Sequence, residues 1–159
     1  RTALDRLEHC PADCDESCYQ CLRSFRNRFE HGYLDRKVGA SLLRYLLDDD
    51  VPVLDQARLD SSADKLFADL ISRDLVDVEL ARGVSVDVPG IGTLLAPILA
   101  TKGSQQLIIG VHGPLTLDLA PTPELHDAKE YGVPVKLVDD MIISRNLPFA
   151  TSAVIKRLS

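Results

Sequence analysis

Apolar residues recur at helical spacing in two early stretches. Leu22, Phe25 and Phe29 stand at i, i+3 and i+7 and predict a helix over Tyr19–Glu30 with one apolar stripe, stopped by Gly32. Val38, Leu42, Tyr45 and Leu46 predict a second helix over Asp35–Leu47, capped by Asp35 and facing the first. Asp48–Asp49–Asp50 and then Val51–Pro52 read as a helix end and a linker. Ser61-x-x-Asp64 has the form of a capping box and opens a third helix with Ala63, Leu66, Phe67, Leu70 and Ile71 on one face. Period-two alternation then takes over. Val76–Leu80 and Val84–Val88 read as a hairpin joined around Arg82–Gly83, and Thr93–Leu99 and Gln106–Val111 as further strands. Pro97 in the former suits an edge or a bulge. A helix from Thr122–Pro123 to Gly132, a strand Pro134–Val138, a strand Met141–Ser144 and a helix Ala150–Leu158 complete the pattern. The expected class is α+β: a helical module over residues 1–50, then a small α/β module with a mixed sheet over 51–159.

Composition agrees with a globular chain: 45% of the 159 residues are hydrophobic and 26% charged. Only 5% are aromatic and none is Trp, so the expected core is aliphatic. No window reaches the ~18 consecutive apolar residues of a membrane helix, and no secretory leader pattern stands at the start. The chain begins with Arg1 rather than Met, which suggests a piece of a longer polypeptide. The formal net charge of −6 disfavours nucleic acid as a partner for the chain as a whole. The charge is uneven. Residues 1–47 hold eight Lys/Arg against seven Asp/Glu, whereas 48–159 hold ten against seventeen.

The basic third also contains all four cysteines: Cys10, Cys14, Cys18 and Cys21, spaced C-x3-C-x3-C-x2-C. Four thiolates within twelve residues repel one another unless a cation neutralises them. Zn2+ takes four sulfurs in a closed tetrahedron, a structural rather than catalytic arrangement. Its binding energy then acts as folding energy for about the first 50 residues. Two disulfides are the expectation only for an exported chain. An iron–sulfur cluster also takes four thiolates. Cys14-x3-Cys18-x2-Cys21 has the three-cysteine spacing of radical S-adenosylmethionine enzymes, but Gln20 stands where those carry an aromatic residue. His9 and His31 flank the cluster, yet four cysteines already fill a tetrahedral site. Next to the cluster, Arg23, Arg26, Arg28, Arg36 and Lys37 outnumber Glu30 and Asp35, forming a candidate phosphate-contacting set or a solvated face.

The run CPADCDESCYQCLRSFRNRFEHGYLDRKVGASLLRYLL resembles the four-cysteine zinc-binding domain at the C-terminal end of certain superfamily 2 helicases. These include the mitomycin-repair type and helicase-associated subunits of phage-defence systems. The resemblance rests on the four cysteines, Ser17–Cys18–Tyr19, Cys21–Leu22–Arg23–Ser24–Phe25, Asn27, His31 and Leu34–Asp35–Arg36, and covers roughly residues 8–47. It implies bound zinc and a bacterial cytoplasmic protein that acts on DNA in repair or phage defence, with a helicase motor in the same chain or in a partner subunit. No G-x-x-x-x-G-K-[ST] loop is present, so the expectation is that this chain is not itself the ATPase.

For the acidic module, the element order invites comparison with restriction-endonuclease-like nucleases, with Asp87 as the first carboxylate. Leu99–Ala100–Thr101–Lys102 lacks the acid that the second position requires. His112 is followed by Gly113 and Pro114, not by the His-x-Lys of a phospholipase-D-like nuclease. Gly90-x-Gly92 reads as a turn, Asp139–Asp140 as a strand end, and His112 and His126 as loop or surface residues. Ser144–Arg145–Asn146 forms a contact loop without an assigned role. The expected function is a zinc-binding region supporting DNA binding or complex assembly. The alternatives are a protein–protein module without DNA contact, an iron–sulfur domain or a cryptic nuclease.

Overall fold

The computed structural model describes residues 2–116 and 123–158, the side chains of residues 123, 124 and 126 excepted. The chain forms two compact units, Arg1–Pro52 and Val53–Ser159. No helix among the described residues is long and apolar enough to cross a membrane.

The first unit holds helix α1 (Thr2–Glu8), the cysteine loop, a 3-10 helix over Phe25–Tyr33 and helix α2 (Arg36–Asp48). α1 carries only one buried apolar residue, Leu7, too short a signal to show in the periodicity. The expected α-helix over Tyr19–Glu30 is not formed. The Cys18 carbonyl accepts from the amides of Cys21, Leu22 and Arg23 at 3.1, 3.1 and 2.9 Å, which winds the chain into a tight turn instead. A polar network then shapes the 3-10 helix. Ser24 N donates to Asn27 Oδ1 at 2.7 Å and Asn27 Nδ2 to the Leu22 carbonyl at 2.9 Å. The anticipated stripe fails with it: Phe25 and Phe29 are 75% and 78% exposed. Gly32 lies inside this 3-10 helix rather than ending a helix.

α2 begins where Asp35 predicts, with the carboxylate accepting from Lys37 N and Val38 N at 2.8 and 3.2 Å. Its inward face is different from the one expected. Arg36 and Ala40 are buried, while Leu42, Tyr45 and Leu46 are exposed. α1 approaches too closely for larger residues: a Cβ on Gly39 would stand 3.1 Å from Leu7 Cδ1. The helix ends at Asp49, which takes the left-handed conformation at φ 56°.

The second unit starts with helix α3 (Gln56–Ser72). Its cap is Asp55, whose carboxylate accepts from Arg58 N at 2.8 Å; Ser61 and Asp64 lie within the helix and are not its capping box. Strands β1 (Glu79–Val88), β2 (Gly92–Lys102) and β3 (Gln105–His112) form an antiparallel meander. Helix α4 (Pro123–Glu130) crosses to β4 (Val135–Asp139), which pairs parallel to β3. Helices α5 (Asp140–Arg145) and α6 (Leu147–Leu158) close the chain. The mixed sheet is as expected. Thr122, the expected start of the fourth helix, lies outside the described residues.

Two local readings are overturned. Arg82–Gly83 is not a turn, because β1 runs through it in constant register from Glu79↔Thr101 to Val88↔Gly92. Gly83 (φ +62°) lies opposite Pro97, which has no N–H to offer, so the ladder skips this one pair. The Arg82 guanidinium satisfies the Pro97 carbonyl at 2.8 Å and also reaches Asp60 and Asp64. The actual turns are Pro89–Ile91 and Gly103–Ser104, the first agreeing with Gly90-x-Gly92 as a turn. A Cβ on Gly90 would stand 2.8 Å from the Tyr131 ring. Met141–Ser144 is helical rather than extended, because the Asp139 carboxylate accepts from Met141 N at 2.7 Å and starts α5.

The sheet serves two cores. Leu66, Leu70, Ile98, Ala100, Ile109, Val111, Ile143 and Val154 pack on the face carrying α3, α5 and α6. Val88, Leu94, Ala96, Ile108, Leu125 and Ala128 pack on the α4 face. Even-numbered β2 residues serve the second core before Pro97 and the first core after it. The hairpin therefore bends at Gly83 and Pro97.

Candidate metal centre

The cysteine loop brings its four sulfurs together. Cys10 Sγ lies 3.5 Å from Cys18 Sγ and 3.6 Å from Cys14 Sγ, Cys14 Sγ lies 3.6 Å from Cys21 Sγ, and Cys21 Sγ lies 3.8 Å from Cys18 Sγ. All four fall within 4.8 Å of one another, and none is in a disulfide. A tetrahedron with metal–sulfur bonds of about 2.3 Å has edges of about 3.8 Å, so the spacing fits one ion held by four sulfurs. Neither histidine joins them. His9 is exposed beside Asp5, and His31 Nε2 lies 3.0 Å from the Ser24 carbonyl, its ring edge-on to Tyr19.

Backbone amides point at the sulfurs. Cys18 N donates to Cys21 Sγ at 3.1 Å and Gln20 N to Cys18 Sγ at 3.3 Å, offsetting thiolate charge. The thiols are not equivalent. Burial pushes Cys10 up, but hydrogen bonds from the Ala12 and Cys14 backbone and from the Cys18 and Cys14 side chains outweigh it and bring the group down to about 6. Cys14 is pushed up to about 12 by burial, by hydrogen bonds with the Cys21, Cys10 and Cys18 side chains and by the charge of Cys21. A metal takes thiols in their deprotonated form, so binding an ion here would release protons.

Arg36 is the residue that ties the loop to the helices. It is 9% exposed. Nε donates to the Cys14 carbonyl at 2.6 Å, and Nη1 to the Leu7 and Glu8 carbonyls at 2.8 and 3.0 Å. The last two are unpaired carbonyls at the end of α1, where a cation is favourable. Arg36 therefore does not belong to an exposed phosphate-contacting set: its guanidinium is spent on carbonyls inside the unit. The Leu34–Asp35–Arg36 triplet was a signal of this role, since the capped start of α2 fixes where Arg36 points. Replacing Arg36 with methionine keeps the bulk and removes the donors. Metal affinity should fall about 10–100-fold, read by competition with a chromophoric chelator. Unchanged affinity would show that the loop is ordered without Arg36.

The other basic candidates divide. Arg23 Nε donates to the buried Ser17 hydroxyl at 3.0 Å, and Lys37 Nζ to Asp15 at 2.7 Å. Arg26 and Arg28 are exposed, and neither is in an ion pair among the described residues. In the second unit Asp87 accepts from the Thr93 hydroxyl at 2.6 Å, and Lys102 Nζ donates to the Leu158 carbonyl at 3.0 Å. Both line a cavity of about 560 Å³ with Gln105, Gly132, Pro134 and Arg157. Among the described residues, no group of three or more His, Cys, Asp or Glu other than the four cysteines could hold a metal ion. Asp139 caps α5, and Asp140 is buried against Arg58 and Ser62. His112 Nδ1 lies 2.8 Å from the Gly113 carbonyl, and the His126 side chain is outside the described residues.

The class these features define is a small unit organised around a tetrathiolate metal-binding site, followed by an α/β unit with its own core. The chain is similar to the Druantia protein DruE of Escherichia coli (strain UMEA 4076-1), 54% identical over 49 residues. The matched stretch is 31% of this chain and 3% of DruE, so the chain spans a small part of its relative. No family model and no solved structure matches the chain.

Proposed function

We propose that residues 1–50 are a zinc-stapled module of a bacterial, cytoplasmic helicase-like factor that supports DNA binding in phage defence or DNA repair. The sulfur tetrahedron carries the zinc assignment, since its edges suit one ion. A multi-iron cluster interposes several metals and sulfides between the thiolates and needs them further apart. The similarity to a Druantia protein supports phage defence over repair. In this reading residues 51–159 form an acidic platform that positions DNA or a partner. The ATP-driven work belongs to a motor elsewhere in the parent chain or in a partner subunit, and this chain catalyses nothing itself.

Arg26 and Arg28, exposed and in no ion pair among the described residues, are the cations beside the cysteine loop that can meet phosphate. Metal analysis should give one zinc per chain and a colourless protein; iron with a brown absorption band would replace zinc by a cluster. DNA affinity should fall steeply with salt. Arg26→Ala with Arg28→Ala should reduce the slope of log K against log salt by about 1.4 for a single strand. Salt-independent association, or none, would sink the DNA contact. A docking module without DNA contact is the second reading, supported by the exposed Leu42, Tyr45, Leu46 and Leu47 of α2.

A further inference from the structure

The 3-10 helix over Phe25–Tyr33 buries none of its residues. Phe25 and Phe29, 75% and 78% exposed, are large rings left in water on a segment with no core to join. They share a face, because the Arg28 guanidinium lies over both, 5.0 Å from the centroid of Phe25 and 4.6 Å from that of Phe29. Arg26 stands beside them, exposed and without a carboxylate partner among the described residues.

From this juxtaposition we infer that Phe25, Arg28 and Phe29, with Arg26, form a stacking platform for single-stranded DNA. The inference rests on the DNA-binding reading and specifies the form of DNA and the contact. A single strand alternates an anionic phosphate with a flat base, and this segment alternates cations with flat rings. Stacking on aromatic side chains works with any base, because every base has a π-face, and arginine adds a cation–π share. In a duplex those faces are already stacked on one another, so the phenyl rings gain nothing from it. Charge selects the occupant further. Residues 19–33 carry Arg23, Arg26 and Arg28 against Glu30, a local excess of positive charge in a chain of net −6. A protein covering the same rings would have to supply carboxylates to Arg26 and Arg28.

The platform is preorganised. The Ser24–Asn27 bonds, the His31 contacts with Ser24 and Asn27, and the Cys18 turn fix the backbone beneath the rings. Little ordering cost is therefore left for the binding step.

The test uses the whole zinc-loaded 159-residue chain and fluorescence anisotropy. The probes are a labelled oligothymidine of about 15 nucleotides, within the usual site size, and a duplex of equal length. The wild type should prefer the single strand. Phe25→Ala with Phe29→Ala should weaken it at least about tenfold and leave metal content and duplex binding unchanged. Phe25→Leu with Phe29→Leu keeps apolar bulk without a π-face and should be weakened as well, which separates stacking from loss of structure. If either double variant binds the single strand as tightly as the wild type, the platform is overturned while the DNA-binding reading stands. If the wild type binds neither probe, both fall, and the exposed rings belong to a protein interface.

Discussion

Replacing Cys10 with serine, or stripping the ion with a chelator, should unfold the first unit while leaving the second folded. Among the described residues the first unit buries only three hydrophobic residues, Leu7, Cys10 and Ala40. One of these, Cys10, belongs to the four-cysteine cluster itself. A unit of about 50 residues with so small a core needs a staple. Apparent binding energies of structural zinc sites reach about 10–16 kcal/mol, far above anything Leu7 and Ala40 supply. Cys10 is the most telling ligand to remove, because it is buried and stands on two short edges of the tetrahedron. Arg36 then loses its purpose too, since the Cys14 carbonyl that it binds lies on the same loop. Hydrogen exchange on the full chain is the readout. Amides of α2 should exchange freely in the Cys10→Ser variant or with chelator, while those of β2 and β3 stay protected. Persistent protection of α2 without metal would show that the helices hold themselves. Acid should act in the same direction as the chelator, because four thiolates that must be deprotonated to bind are reprotonated as pH falls.

In the second unit the largest single loss is expected at Asp140. Its carboxylate is 1% exposed. It accepts from Arg58 Nη2 and Nε at 2.7 and 2.9 Å and from the buried Ser62 hydroxyl at 2.5 Å. Arg58 and Ser62 stand on α3 and Asp140 opens α5, so the carboxylate joins two helices of the same sheet face. Asp140→Ala removes the acceptor that the Arg58 guanidinium and the Ser62 hydroxyl share. The Arg58 side chain is 32% exposed, so the cost is that of buried hydrogen bonds to a charged group, about 1.5–3 kcal/mol. Urea unfolding, followed by a probe in the second unit, should show a correspondingly lower midpoint. Joint replacement, Arg58→Met with Asp140→Leu, should recover much of the loss, because apolar side chains then fill the space of the carboxylate and its donors. A midpoint within about 1 kcal/mol of wild type for Asp140→Ala would mean that water reaches the site and the pair is not desolvated.

How far the chain could be read in advance depended on how local each signal was. The four cysteines needed only their spacing, because ligands within twelve residues can meet on one loop whatever lies beyond. Asp35 as a cap is equally local, a side chain answering amides two and three residues ahead. Strands β2, β3 and β4 came from alternation and apolar runs, although β2 changes cores at Pro97. Failures occurred where a competing partner, near or distant, claimed the backbone or the side chain. The Leu22–Phe25–Phe29 spacing suits an amphipathic helix, but the turn on the Cys18 carbonyl and the Asn27 network claim the backbone first. Ser61-x-x-Asp64 looks like a cap until Asp64 turns to Arg82 and the neighbouring Ser62 to Asp140. Arg82–Gly83 looks like a turn until Pro97 stands opposite and Arg82 binds its carbonyl.

Sequence alone therefore located the four-cysteine cluster, the helical region followed by a small mixed sheet, and most strands. Each rests on short-range chemistry or periodicity that survives in any compact fold. Tertiary structure decided the role of Arg36, which in sequence looks like one more surface cation among five. It becomes an internal strut because three carbonyls from Leu7, Glu8 and Cys14 converge on it. It also decided the fate of Phe25 and Phe29. Hydrophobicity sends such rings inward only where a core exists to receive them, and here the unit is gathered around four cysteines and buries few apolar side chains.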